Sequence, residues 1–190
     1  ISGVINDETK RLGFLVEKVL QMSLFERQKA TLKLKELDAN DLIISVANTF
    51  ALKVEKYGGT LDLDLDALDS TIYVDEMHIT NVLFNLMDNA VKYRRQDVPL
   101  ALLVRTWNEN GKLHISVEDN GIGIKKEYLK KVFDRFFRVP TGNKHDVKGF
   151  GLGLAYVRKI IEDHKGSIRA EQGNNNIGTK FIITLPLIKS

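Results

Sequence analysis

The sequence predicts an α+β fold: a two-layer sandwich in which helices cover one face of a mixed β-sheet, preceded by one amphipathic helix. Segments with a hydrophobic period of two alternate with segments that have the helical period of about 3.6 residues. A hairpin signal between two of the strands argues against an all-parallel sheet. The 190 residues, 43% of them hydrophobic, suffice for one substantial core and a short extension.

The first predicted element is a helix over residues 6–28, where Leu12, Val16 and Val19 recur at spacings of four and three between charged residues. Its apolar stripe fits either a partner helix or the surface of its own domain. Both interpretations make the helix an extension. We therefore divide the chain into residues 1–30, the extension, and residues 31–190, the main domain.

The main domain is predicted to hold strands and helices in turn. Strands are assigned where apolar and polar residues alternate, and helices where apolar residues recur every three to four positions after a capping side chain. The predicted strands span residues 32–37, 60–66, 72–74, 99–107, 112–118, 167–172 and 179–187. The predicted helices span residues 38–57, 75–94, 126–133 and 152–164.

Caps, glycines and turn residues set the boundaries. Asp38 or Asn40 is expected to cap the first helix of the main domain, and the pair Gly58-Gly59 to end it. Residues 60–66 alternate leucines with aspartates, which predicts a strand with one solvated face. The segment Asn108-Glu109-Asn110-Gly111 predicts a hairpin loop. A polar, glycine-bearing loop follows after Arg138, over residues 139–150, and is predicted to be mobile.

Composition excludes several classes of function. The chain has no cysteine, which removes disulfides, thiolate nucleophiles and cysteine-based zinc sites, and its four histidines are scattered. The net charge is only +3 and no run of five like charges occurs, so no nucleic-acid partner is expected. No apolar stretch approaches the roughly 20 residues that cross a bilayer, so the chain is expected to be soluble.

The predicted helix over residues 75–94 separates into an apolar and a polar face at 100° per residue. The apolar face holds Ile79, Leu83, Leu86, Met87 and Ala90, and the polar stripe holds Asn81, Asn85, Asp88, Asn89 and Lys92. Asparagine is a mediocre helix former, so its repetition on one stripe indicates either a functional role or an unusual solvated face. Carboxamide oxygens suit magnesium held by phosphates, and a nearby lysine suits a phosphate.

Two glycine-bearing segments add to this pattern. Asp119-Asn120-Gly121-Ile122-Gly123-Ile124 follows a strand, where a carboxylate can accept a hydrogen bond from an exocyclic amine; an Asx turn is the alternative. Gly149-Phe150-Gly151-Leu152-Gly153-Leu154 leads into a helix, and its backbone N–H groups could seat a phosphate; a glycine-rich hinge is the alternative. The second segment is neither a Walker loop nor a dinucleotide fingerprint.

Taken in order, these segments resemble the GHKL ATPase superfamily, whose Bergerat ATP-binding fold is an α+β sandwich. Within it the chain resembles the catalytic domain of bacterial two-component sensor histidine kinases over about residues 32–187. NLMDNAVKY is similar to the N box, DNGIGI to the G1 box, VFDRFFRV to the F box and GFGLGL to the G2 box. The extension, ending in SLFERQ, resembles the second helix of the dimerisation and phosphoacceptor hairpin.

The resemblance implies roles for individual residues, with ATP and Mg²⁺ as cofactors. Asn89 would ligate Mg²⁺ and Asn85 would support it as a catalytic residue, together with Arg138 at the γ-phosphate. Lys92 would touch phosphate, Tyr93 would border the adenine and Asp119 would accept from the adenine amine. The implied ATP-binding residues are Asn85, Asn89, Lys92, Tyr93, Asp119, Gly121, Gly123, Ile124, Phe136, Arg138, Gly149, Gly151, Leu152, Gly153, Leu154 and Thr179.

Further implications concern the loop and its aromatic neighbours. Residues 139–148 would form a lid over the nucleotide, anchored by Phe133, Phe136 and Phe137, which are equally consistent with core positions. Gly121 and Gly123 would leave room for the base. The chain departs from the superfamily's ATP hydrolases at Asn85, where they carry a glutamate, and an amide cannot act as a general base. Hydrolysis is therefore expected to be poor.

The phosphoacceptor motif of histidine kinases, H-E or H-D followed by Arg-Thr-Pro, is missing from this sequence. The resemblance therefore implies transfer of the γ-phosphoryl group to a histidine on a helix upstream of Ile1, followed by relay to a response regulator receiver domain. It also implies a homodimer through the N-terminal helix and a cytoplasmic domain of a membrane-anchored bacterial sensor. Two alternatives remain open: a serine kinase of the anti-sigma-factor type, and a pseudokinase that binds nucleotide without transferring phosphate.

Overall fold

The computed structural model describes residues 31–138 and 153–188. The predicted helix over residues 6–28 and the predicted lid therefore lie outside the described residues. So do Gly149, Gly151 and Leu152 of the predicted phosphate seat. Within the described part of the chain, no helix is long and apolar enough to cross a membrane.

Seven strands and three α-helices make up the described residues. The strands are β1 (Leu34–Asp38), β2 (Thr60–Leu65), β3 (Thr71–Asp75), β4 (Ala101–Glu109), β5 (Lys112–Asp119), β6 (Ser167–Gln172) and β7 (Thr179–Pro186). The helices are α1 (Ala39–Lys56), α2 (Glu76–Lys92) and α3 (Gly153–Asp163), and short 3₁₀ helices span Lys126–Tyr128, Lys131–Phe133 and Asn174–Asn176.

The main sheet is mixed and has five strands in the order β2-β4-β5-β7-β6. Strand β2 runs parallel to β4, whereas the pairs β4–β5, β5–β7 and β7–β6 are antiparallel. Strands β1 and β3 form a separate two-stranded antiparallel sheet. The predicted α+β sandwich with a mixed sheet is confirmed, but the second small sheet was not foreseen, because local periodicity does not say which strands pair.

The core lies between one face of the main sheet and the helices. Alternate residues of β4, β5 and β7 are buried, namely Leu102, Val104, Leu113, Ile115, Val117, Phe181, Ile183 and Leu185. Apolar residues of all three helices pack against them, including Ile43, Phe50, Leu83, Leu86, Val157 and Ile160. Burial of a large aliphatic or aromatic side chain stabilises the fold by roughly 1.5–3 kcal/mol, so this interior holds α2 and α3 in fixed positions.

The caps of α1 and α2 are both aspartates at the ends of strands. Asp38 caps α1 by accepting from the N–H of Asp41 at 3.1 Å. The alternative, Asn40, instead donates to the carbonyl of Ala67 and accepts from the hydroxyl of Thr106, so its side chain is used to satisfy a buried polar group. Asp75 caps α2 by accepting from the N–H of His78 at 3.1 Å.

Two local predictions need correction. The hairpin between β4 and β5 closes through Asn110 and Gly111 alone, both with positive φ, because the strands extend to Glu109 and from Lys112. The single helix predicted over residues 126–133 is two separate 3₁₀ turns. A stretch this short cannot hold a regular α-helix unless its neighbours pack along its whole length.

Candidate functional site

Helix α2 turns one face to the core and an amide-bearing face toward α3. Its buried residues are Ile79, Val82, Leu83, Leu86, Met87, Ala90 and Val91. Asn81 and Lys92 are exposed, and Asn85 and Asn89 are half-buried. Within the described residues the Asn89 side chain makes no hydrogen bond, so its carboxamide oxygen remains available to a ligand.

The predicted polar stripe is narrower than expected. Asp88 forms an ion pair with Lys53 of α1, at 2.5 Å between Nζ and Oδ1. The Asp88 carboxylate is therefore directed toward α1, whereas Asn81 and Asn85 face α3. A pure wheel projection could not separate them, because the neighbouring helix that draws Asp88 away is unknown from the sequence.

Asn85 has a defined orientation next to the first residue of α3. Its Nδ2 donates to the backbone carbonyl of Asn81 at 2.7 Å. A carbonyl can only accept, so the Asn85 oxygen faces away from its own helix. A Cβ placed at Gly153 would lie 3.3 Å from that Oδ1, so the N-terminus of α3 abuts the Asn85 amide.

Asp119 ends β5 and is the most perturbed acid among the described residues. Only 9% of it is exposed. Its Oδ1 accepts the N–H of Gly121 at 2.8 Å and that of Thr179 at 3.3 Å. Burial raises the pKa of Asp119 to about 6, the two backbone N–H groups oppose that rise, and the charge of Glu118 adds to it. Oδ2 has no donor within the described residues.

The loop after Asp119 is held by close backbone packing. A Cβ at Gly121 would lie 2.4 Å from the carbonyl oxygen of Tyr93, and the N–H of Ile122 donates to that same carbonyl at 2.9 Å. Gly123 adopts a φ of 78°. Glycine at residue 121 is therefore required by the contact with the end of α2, whatever room the base needs.

Sequence reasoning missed two residues that support this loop, Gly178 and Arg95, and gave no role to Asn120. Gly178 has a φ of 72°, and a Cβ there would lie only 1.9 Å from the carbonyl oxygen of Asp119. Asn120 accepts from the N–H of Ala101 at 2.8 Å, and Arg95 donates to the Asn120 carbonyl at 2.9 Å. The D-N-G motif marked the loop, but nothing local marked Gly178 or Arg95, because they reach it from distant segments.

The end of α2 carries Tyr93, which is half-buried. Tyr93 is the C-cap residue of α2; burial raises the pKa of its hydroxyl, while the charge of Arg138 opposes that rise. The Arg138 charge therefore acts on the Tyr93 hydroxyl. Lys92 points outward beside them as an exposed residue.

The three phenylalanines of the predicted lid anchor differ in their surroundings. Phe133 is 4% exposed and packs edge-on against Phe181 at 6.1 Å between ring centroids. Phe137 packs against Tyr128 at 5.6 Å. Phe136 is 66% exposed and has a φ of 61°. Phe133 is thus a core residue, whereas Phe136 projects its ring into solvent from a strained backbone.

The three remaining predicted residues that the structure describes are buried or partly buried. Thr179 reaches Asp119 through its backbone N–H, and Ile124 and Leu154 pack as partly buried residues against the core. The structure therefore joins Asp119, Gly121, Thr179 and Tyr93 at one end, and Asn85 and Gly153 at the other. No cluster of three His, Asp or Glu side chains suited to a metal ion occurs within residues 31–138 and 153–188.

Known proteins share both sequence and fold with this chain. A family described as "Histidine kinase-, DNA gyrase B-, and HSP90-like ATPase" matches residues 74–189. "Sensor protein RprX" of Bacteroides fragilis (strain YCH46) is 73% identical over 190 residues, which are 100% of this chain and 36% of that protein. The chain thus spans little more than a third of that relative.

Two solved structures of histidine kinases resemble this chain in sequence and fold. The catalytic domain of histidine kinase ThkA in a nucleotide-free form is 31% identical, with a TM-score of 0.70 over 82% of this chain and 98% of that one. ThkA in complex with the response regulator protein TrrA is 27% identical, with a TM-score of 0.74 over 97% of this chain and 50% of that one.

The chain belongs to the histidine kinase-, DNA gyrase B- and HSP90-like ATPase family. Within that family it is an ATP-binding catalytic domain of the sensor histidine kinase type, as its sequence relatives and its structural neighbours agree. The resemblance that the four sequence boxes indicated is therefore confirmed.

Proposed function

We propose that this domain, residues 31–190, binds Mg-ATP along α2 and passes the γ-phosphoryl group to a histidine on a dimerisation helix. The observation that carries the proposal is the arrangement of Asp119. One carboxylate oxygen is held by two backbone N–H groups, and the other has no protein donor among the described residues. The fold thus orients the buried carboxylate, and its Oδ2 can accept a hydrogen bond from a ligand.

The adenine amine is the donor that suits this acceptor. An amine donates to the carboxylate, whereas the carbonyl of guanine at the same position would face it with a second acceptor. Leaving a buried acceptor unpaired costs about 1–3 kcal/mol, which favours adenine over guanine by about 5- to 150-fold. Gly121 and Gly123 bring the loop against Tyr93, which would border the base.

The triphosphate is expected at the α3 end of the groove. Asn89 offers an uncommitted carboxamide oxygen, and the oxygen of Asn85 faces the first residue of α3. Neutral oxygen ligands suit Mg²⁺ that is also held by phosphate oxygens, so Asn89 would be its protein ligand. The metal would supply charge neutralisation at the phosphates. Lys92, Arg138 and the N-terminus of α3 would add positive charge there.

In the proposed transfer, an imidazole nitrogen of the acceptor histidine forms a bond to the γ-phosphorus. The bond from that phosphorus to the β,γ-bridging oxygen breaks, ADP leaves, and a carboxylate beside the acceptor takes the imidazole proton. This domain would position the triphosphate and stabilise the charge on the phosphoryl group during transfer. Because Asn85 is an amide and cannot remove a proton from water, hydrolysis of ATP should be slow relative to transfer.

The partners follow from the same assignment. The acceptor is a histidine-bearing helix of the same kinase, and the receiver domain of a response regulator would take the phosphoryl group from it. The ThkA complex with TrrA supports the second step by analogy. Residues 1–30 would form the second helix of the dimerisation hairpin and contribute to a homodimer. The domain would lie on the cytoplasmic side of a membrane-anchored bacterial sensor.

The test is single-turnover transfer from radiolabelled ATP to a separate dimerisation hairpin that carries its own histidine. We expect acid-labile, base-stable phosphate on the hairpin and none on this chain. Acid-stable phosphate on serine would instead support the serine-kinase alternative. ATP binding without transfer to any acceptor would support the pseudokinase.

A further inference from the structure

Two polar side chains outside the predicted nucleotide residues join the first turn of α2 to the first turn of α3. Nδ1 of His78 lies 2.8 Å from the hydroxyl oxygen of Tyr156, and the two rings are 6.1 Å apart. The side chain of Asn81, one turn further along α2, also acts on the Tyr156 hydroxyl and lowers its pKa. Both His78 and Tyr156 are half-buried.

The protons in this cluster can be assigned from the surroundings. Burial lowers the pKa of His78, so its ring is neutral at pH 7 and Nδ1 can accept. Burial raises the pKa of Tyr156, and the side chain of Asn81 opposes that rise. The Tyr156 hydroxyl can therefore donate to Nδ1 of His78.

This cluster lies one turn from the predicted triphosphate end. The backbone carbonyl of Asn81 receives the Asn85 amide, and the Asn85 oxygen faces Gly153, three residues before Tyr156. The same turn of α2 therefore sets the orientation of the Asn85 oxygen and the distance to the start of α3. A change of even 1 Å in that spacing would misplace groups that must meet phosphate oxygens together.

We propose that Tyr156 and His78 are positioning residues for the triphosphate: through their hydrogen bond they hold the N-terminus of α3 at the spacing from α2 at which the phosphates are bound. The inference rests on the proposed nucleotide site. It predicts different effects on the two ends of the ligand. Asp119 would hold the base from a different part of the fold, so binding of the base should not depend on Tyr156.

The experiment compares Tyr156→Phe with the unsubstituted chain, using Mg²⁺ with a non-hydrolysable ATP analogue by calorimetry and adenosine by NMR titration. Removing one hydroxyl should weaken binding of the Mg-triphosphate about fivefold, the effect of one ordinary hydrogen bond, and leave adenosine binding within about twofold. His78→Leu should weaken Mg-triphosphate binding as much as Tyr156→Phe does, and His78→Gln should weaken it less. The double variant Tyr156→Phe/His78→Leu should bind the Mg-triphosphate no more weakly than either single variant. Tyr73→Phe, an exposed tyrosine on β3, is the matched control.

Triphosphate affinity within twofold of the unsubstituted chain in both Tyr156→Phe and His78→Leu would overturn the inference. An equal loss for triphosphate and adenosine would also overturn it, because that result describes a general loosening of the fold. If the unsubstituted chain itself fails to bind the Mg-triphosphate, the proposed function fails first, and this inference fails with it.

Discussion

Asp119→Asn is the most informative substitution because it separates base recognition from folding. Both backbone N–H groups that hold Asp119 donate to the same oxygen, Oδ1. The amide oxygen of the substituted side chain can keep both bonds, and its NH₂ then occupies the position of Oδ2. There it would present a donor to the donor amine of adenine, so ATP affinity should fall about 10- to 150-fold, from the loss of about 1.5–3 kcal/mol for a charged hydrogen bond.

Asp119→Asn should raise the stability of the ligand-free domain although it lowers ATP affinity. The pKa of Asp119 is raised to about 6 in the fold, against about 3.9 in an unfolded chain. At pH 7 this difference corresponds to about 3 kcal/mol of destabilisation by the buried charge, as an upper value. Relief of about 1–3 kcal/mol in Asp119→Asn would raise Tm by about 2–12 °C for a domain of this size.

The pH dependence has a definite sign. Between about pH 4 and pH 6 the folded state holds a proton on Asp119 that the unfolded state has lost, so this group's contribution to the free energy of unfolding falls as pH rises through that window. ATP binding requires the ionised form and should weaken below about pH 6. Both dependences should be absent in Asp119→Asn.

The assay is calorimetric titration with Mg-ATP and Mg-GTP at several pH values, together with thermal melts of the ligand-free protein. Glu118→Gln is the matched control, since Glu118 is a buried neighbour whose side chain accepts from the N–H of Asn174. Its ATP affinity should stay within about threefold. Undiminished ATP affinity in Asp119→Asn, or an unchanged preference for ATP over GTP, would refute the assignment of the adenine contact.

The remaining predictions concern the metal, the loop and the acceptor. Asn89→Ala should remove most of the Mg²⁺ dependence of triphosphate binding, measured by titration with and without Mg²⁺, because its amide would be the main protein ligand. Gly178→Ala should lower the free energy of unfolding by about 3 kcal/mol or more in denaturant melts, because its Cβ would collide with the Asp119 carbonyl. This chain alone, incubated with radiolabelled Mg-ATP, should acquire no phosphohistidine while still binding the nucleotide.

Each of these three has its own control. Mg²⁺ enhancement in Asn89→Ala equal to that of the parent would remove the metal assignment. Gly111→Ala has the same positive φ as Gly178 but open space around its Cβ, so it should cost only about 1–2 kcal/mol; equal losses would mean that backbone strain, and not the collision, dominates. Stoichiometric label on the isolated chain would show that a histidine within it is the acceptor.

Much of this domain could be predicted from local sequence because its elements have strong local causes. Alternating leucines and aspartates over residues 60–66 predicted a strand with one solvated face, and the asparagines of α2 predicted a polar stripe on that helix. Asp119 could be recognised because a strand, a carboxylate and two glycines follow one another directly. These features depend on neighbours within a few residues, where periodicity and turn chemistry act.

Only the tertiary structure decided how distant segments meet. Asp38 caps α1, whereas the side chain of Asn40 accepts a hydrogen bond from Thr106. Asp88 of the predicted polar stripe forms an ion pair with Lys53 of α1. The tertiary structure also brought Thr179 to Asp119 across 60 positions of the chain. Such contacts arise from the packing of elements that are remote in sequence. The sequence by itself thus determined most of the elements and the residues proposed for the site, and the packing determined which distant segments those residues contact.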